Sequence, residues 1–117
     1  MADSFQKLIL SGSTNGLPIA INAITSGSAN TITVADSTAL SELWLSAFNY
    51  SNTDTTLYVL IGGTSAYQIF SQVIPAGRGI QPLISGLTFT GSVNIKAYAS
   101  IAGAISVLGF ENRIVTV

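Results

Sequence analysis

Five carboxylates (Asp3, Asp36, Glu42, Asp54, Glu111), four cations (Lys7, Arg78, Lys96, Arg113) and 34 Ser, Thr or Asn residues carry most of the polar chemistry of this 117-residue chain. It has no His and no Cys. Without Cys there is no disulfide framework, thiolate nucleophile or zinc-finger site. Without His there is no imidazole base and no His-ligated metal. A catalytic Ser needs a His or Lys partner, and neither lysine stands in a Ser-x-x-Lys context. Paired acids hydrolyse glycosides when held ~5–10 Å apart, but no two acids here form a local motif. Asn52-Thr53-Asp54 offers two oxygen ligands where Ca²⁺ needs ~6–8, so an Asx turn is the plainer reading. Gly62-Gly63-Thr64-Ser65 and Gly77-Arg78-Gly79 lack a Walker or dinucleotide spacing and read as hairpin turns. A net charge of −1 gives no basic field for nucleic acid. The expectation is a non-enzymatic chain without cofactor or metal.

Contact chemistry is what remains. Trp44, Tyr50, Tyr58, Tyr67, Phe70 and Tyr98 are candidates for a sugar-stacking platform or an oligomer interface. Trp44 and Phe48 are expected in the core. Tyr58 and Tyr98 fall on less clearly buried strand faces. Arg78, between two glycines, suits a loop-tip anchor for a carboxylate or backbone carbonyls. The candidate interface is Asn15, Tyr50, Asn52, Tyr58, Arg78 and Tyr98, with the loops around Asn15-Gly16, Asn52 and Arg78 as contact points.

The elements that must position these residues are strands. Glycines, prolines and Asn15-Gly16 recur, often at intervals of ~8–12 residues with β-branched runs between them, the pattern of a sandwich or barrel. Period-2 alternation places Val93, Ile95, Ala97 and Ala99 on one face, opposite Asn94, Lys96 and Tyr98. Leu57, Val59 and Ile61 share a face, as do Leu43, Leu45 and Ala47. Strands are expected at Phe5–Leu10, Ile19–Ile24, Thr31–Val34, Leu43–Phe48, Thr55–Ile61, Tyr67–Ile74, Gly79–Ile84, Leu87–Thr90, Ser92–Ser100, Ile105–Phe110 and Arg113–Val117. Asp36 could cap a helical turn, but Asp36–Glu42 is too short to hold a helix and reads as one turn or as the loop entering the Leu43 strand. The expected fold is all-β: one domain over residues 1–117, an antiparallel β-sandwich of about nine or ten short strands with jelly-roll or Greek-key connections.

No stretch supplies the ~20 apolar residues of a membrane helix, and the N-terminus has no basic-then-apolar signal. A chain made in the cytoplasm is expected. The charged fraction is 8%, about a third of the usual quarter. Sheet edges are normally guarded by charge or proline. Ten strands with nine charges favour covering by copies of the same chain, a trimer or larger ring.

Several segments carry a resemblance: Ser4-Phe5-Gln6-Lys7-Leu8-Ile9-Leu10-Ser11-Gly12-Ser13-Thr14-Asn15-Gly16, Glu42–Asn49, Ile74-Pro75-Ala76-Gly77, Val93–Ala99 and Gly109–Ile114. In these the chain resembles small β-rich structural proteins of tailed bacteriophages, over nearly its whole length. The resemblance implies a capsid decoration (cement) protein, commonly trimeric, sitting on the virion surface against the major capsid protein or other virion proteins. It carries over no catalytic residue. A head–tail connector or tail component, and a carbohydrate-binding β-sandwich module, are the alternatives.

Overall fold

The computed structural model describes residues 3–116. Nine strands occur in chain order: β1 (Asp3–Ile9), β2 (Ile19–Ile21), β3 (Asn30–Val34), β4 (Leu40–Asn49), β5 (Thr55–Ile61), β6 (Ile69–Ile74), β7 (Gln81–Phe89), β8 (Asn94–Ala99) and β9 (Ile105–Thr116). Among the described residues the only helical pieces are two 3₁₀ turns, at Ser26–Ser28 and Ala66–Gln68.

The strands form two antiparallel sheets packed face to face. The first runs β1-β9-β4-β7, with β2 also on β9; the second runs β3-β8-β5-β6. One nested set of pairs runs through both, and the β4–β9 and β5–β8 pairings join its members within each sheet. Ile19 pairs with Val107, Asn30 with Ala97, Ser41 with Phe89 and Thr55 with Ile74. The midpoints of these pairs are 63, 63.5, 65 and 64.5. The chain is thus one long hairpin folded about Gly63-Thr64-Ser65, then bent so that successive pairs fall in alternate sheets. Only β5 and β6 are joined as a simple hairpin within one sheet.

The alternation works because one face of each strand meets the other sheet. Leu43, Leu45 and Ala47 of β4, Leu57 and Val59 of β5, Ile95, Ala97 and Ala99 of β8, and Ile105 and Val107 of β9 make one buried cluster. Each side chain of Val or Leu size contributes about 1.5–3 kcal/mol on burial.

Four expectations change. Gly79–Ile84 and Leu87–Thr90 belong to one strand, β7. Register shifts opposite Leu43–Trp44 and Leu45–Ser46 let it continue, and Gly86 takes φ +86° under the Trp44 ring. Ile105–Phe110 and Arg113–Val117 merge into β9, because β4 pairs with it unbroken from Ile105 to Ile114; Val117 lies outside the described residues. Tyr67 leaves its expected strand. The Gln68 N–H donates to the Ser65 carbonyl at 2.8 Å and closes a 3₁₀ turn around it. Gly77-Arg78-Gly79 is no hairpin, since it carries the chain from β6 in one sheet to β7 in the other. Of the two readings of the Asp36 segment, the loop entering β4 is the one found. Asp36 Oδ2 accepts from the Thr38 and Ala39 N–H groups at 3.0 and 2.9 Å and orders that loop.

Candidate interaction surface

Three of the candidate residues sit at one end of the molecule. The loops β4–β5 and β6–β7 meet there, where the Ala76 N–H donates to Asp54 Oδ1 at 3.0 Å and Asn49 Nδ2 donates to the Ile74 carbonyl at 2.9 Å. Asp54 therefore ties two loops together through backbone. Tyr50 is half exposed, Asn52 and Arg78 are exposed, and the β8–β9 loop joins them where the Tyr50 N–H donates to the Ala104 carbonyl at 2.9 Å.

Asn15 lies elsewhere. It and Gly16 hold φ of +55° and +79°, and the Leu17 N–H closes the turn on the Thr14 carbonyl at 3.0 Å. Positive φ at both central residues is what an Asn-Gly turn supplies. This β1–β2 loop folds across the rim: Leu10 is buried, and the Gly12 N–H donates to the Ile32 carbonyl at 2.9 Å. The Val34 N–H donates to Ser11 Oγ at 3.0 Å. The free edge of β3 is covered by its own chain.

Tyr58 and Tyr98 come together on the outer face of β5 and β8. They are directly opposite in register, with ring centroids 4.6 Å apart and planes within 7°. An aromatic pair of this kind adds about 0.5–1.5 kcal/mol beyond its buried area.

Two features lay outside the expected site. The first is the outer face of the first sheet. Trp44 is 38% exposed, not in the core, because it alternates with buried Leu43 and Leu45 and faces solvent. Phe48, on the same face, is only partly buried. Trp44 stacks on Phe110, opposite it in β9, at 6.2 Å and 13°. Lys7 Nζ sits 4.4 Å from the Phe110 centroid, a cation–π contact. Trp44 Nε1 donates to Glu42 Oε1 at 2.6 Å, and Asn112 Nδ2 donates to the same oxygen at 3.2 Å. These two bonds hold the Glu42 carboxyl below its ordinary range. The signal was the alternation around Trp44; the cross-strand neighbours Phe110 and Lys7 needed the register.

The second is a polar cluster between the sheets. Glu111 is 1% exposed. Its Oε1 accepts from Thr33 Oγ1 of the opposite sheet at 2.7 Å, and its Oε2 pairs with Arg113 Nη2 at 3.0 Å. Arg113 reaches Asp36 at 3.9 Å, and Ser41 Oγ and Arg113 Nε are buried without a partner. The backbone N–H groups of Ala39 and Thr38, then the Thr38 hydroxyl, hold the Asp36 carboxyl below its ordinary range, with a smaller contribution from Arg113. The cluster ties β9 to β3 across the interior.

Charge is scarce at the sheet edges. Strands β3, β6 and β7 contain none, and β1 contains Asp3 and Lys7. Twelve large apolar side chains are exposed among the described residues, including Phe5 at 76%, Tyr67 at 88% and Ile80 at 60%. Comparison of the chain with protein-family models, with curated proteins and with solved structures finds no match.

Proposed function

We propose that this chain is a non-enzymatic virion structural protein, most specifically a head decoration (cement) protein of a tailed bacteriophage. Made in the host cytoplasm, it would act on the capsid surface as a homo-oligomer, a trimer in the first instance, against the major capsid protein. The observation that carries this reading is the combination of two uncharged edge strands, β6 and β7, with twelve exposed large apolar side chains among the described residues. Such a surface is stabilised by being covered, and neutral loops make hydrogen bonds that salt does not screen. The nested pairing about Gly63-Thr64-Ser65 supports a jelly roll as the finer fold, since that fold is a long hairpin wound into two sheets.

The role is physical. Copies would bridge neighbouring shell subunits through Tyr50, Asn52 and Arg78 at the loop end, Asn15 at the side turn, and the Tyr58–Tyr98 face. A specific contact needs ~1,200–2,000 Å² of total buried surface, and many equivalent contacts add avidity. The test is binding of purified protein to expanded, undecorated capsids, followed by sedimentation. Stoichiometric capture of an oligomer supports the reading. A monomer that leaves capsids bare overturns it. Hundreds of copies per particle would separate decoration from a connector or tail role.

One observation favours a second reading, a carbohydrate-binding module: the solvent-facing Trp44 stacked beside Phe110. A glycan that quenches Trp44 fluorescence saturably would support it, and an array without binding would remove it.

A further inference from the structure

Four edge strands bound the two sheets, besides short β2, and three of them are poor templates for another strand. β7 is interrupted by two register shifts and contains Pro82. β3 has a register shift between Thr31 and Thr33, and the β1–β2 loop bonds to its edge. β6 is regular, but its Ile74 carbonyl is taken by Asn49, and with no charge it has nothing to select a register. β1 differs. It pairs with β9 over seven consecutive residues without a shift, and among the described residues its other edge bonds to no strand. Its first two residues run past β4 together with their β9 partners, because the β4–β9 pairing stops at Ile114 while β1 pairs on to Thr116. Phe5, Gln6 and Lys7 are all exposed, so both faces are open.

The β1 sequence is also complementary to itself. Two copies related by a twofold axis normal to the sheet must pair residues of equal parity, so that each face is preserved. Centred on Phe5, that pairing sets Phe5 against Phe5, Ser4 against Gln6, and Asp3 of each copy in register with Lys7 of the other. Centred one residue later, it would leave Asp3 opposite Ile9 and Lys7 opposite Phe5. Only the first register brings opposite charges together, twice. Opposite charges in direct register stabilise an antiparallel pair, and like charges oppose it.

We propose that the free edge of β1 is a contact between two copies of this chain, with Phe5 on a twofold axis and Asp3 paired in register with Lys7 of the second copy. The two first sheets become one continuous sheet, and the exposed Phe5 rings are covered. This rests on the reading that the chain works covered by its own copies, and adds which edge and which register. A threefold contact elsewhere is compatible with it in a dihedral assembly.

The chain has no Cys, so one introduced thiol reports on one contact. Directly opposite Cα atoms lie ~4.5–5.5 Å apart, within disulfide reach. Phe5→Cys, mildly oxidised, is expected to run as a covalent dimer, whereas Val73→Cys on β6 stays monomeric on the same gel. Lys7→Glu is expected to weaken dimerisation about tenfold by sedimentation, and adding Asp3→Lys to restore it. Restoration reads the register itself, because the double variant does not rebuild the Lys7–Phe110 contact. Cross-linking of Val73→Cys as fast as Phe5→Cys, or no restoration by the double variant, overturns the proposal. Capsid binding by a chain whose Phe5→Cys form does not cross-link would sink this contact and leave the decoration reading standing. Cross-linking without capsid binding would do the reverse.

Discussion

Glu111 shows how much a single side chain depends on its neighbours here. Its carboxylate is out of water, bonded to Thr33 on one oxygen and Arg113 on the other. Removing one partner of such a pair leaves a charge poorly solvated. Glu111→Ala is expected to lower stability by about 3 kcal/mol, read by urea unfolding. Thr33→Val keeps the shape but strips one bond from a charged acceptor, and is expected to cost about 1.5–3 kcal/mol. The exposed acids set the pH response. Asp36 and Glu42 have carboxyls held below their ordinary values of 3.8 and 4.5 by hydrogen bonds made in the folded state. A lowered folded pKa gives stability that is present above the ordinary value and lost as pH falls through the folded one. Melting temperature should therefore be flat above pH 5 and fall below about pH 4.5. Asp36→Asn is expected to make that acid limb shallower. Nothing in the sequence marked Glu111 as buried, because its partners are 78 and 2 residues away and one lies in the other sheet.

At the scale of elements, β4 and β9 form the longest pairing, and their contact sets the glycine requirement. A Cβ on Gly109 would lie 2.0 Å from the Trp44 carbonyl oxygen, and backbone cannot swing aside as a side chain would. Gly109→Ala should destabilise by about 3 kcal/mol. Gly27 has open space around it, so Gly27→Ala should be neutral within about 0.5 kcal/mol. Thermal melts of the two variants check both. Strand existence was legible, and facing in part: Leu43, Leu45 and Ala47 are buried as the alternation required, whereas Trp44 and Phe48, expected in the core, take the opposite face. Strand ends were less legible. Gly79–Ile84 and Leu87–Thr90 read as two strands because Ser85-Gly86 looks like a turn; pairing with β4 carries β7 through it as a bulge. Arg78, placed in a hairpin, marks instead a crossing between sheets.

For the whole molecule, pairing about a central point makes most contacts long-range, and Ile19 must find Val107. Closing such loops before their contacts stabilise anything is slow. Refolding is expected on the millisecond-to-second scale in stopped-flow fluorescence of Trp44. With charge at 8%, the melting temperature should change little between low and molar salt.

What the sequence determined by itself is the class of structure and its chemistry: short strands, their inward faces, and no His or Cys. Alternation is local, so it is written in adjacent residues. Only the tertiary structure decided which strands share a sheet, that Trp44 stacks outward on Phe110, that Tyr58 meets Tyr98, and that Glu111 lies between the sheets. Each of those is set by register between residues far apart in the chain, and a one-residue slip would move every side chain to the other face.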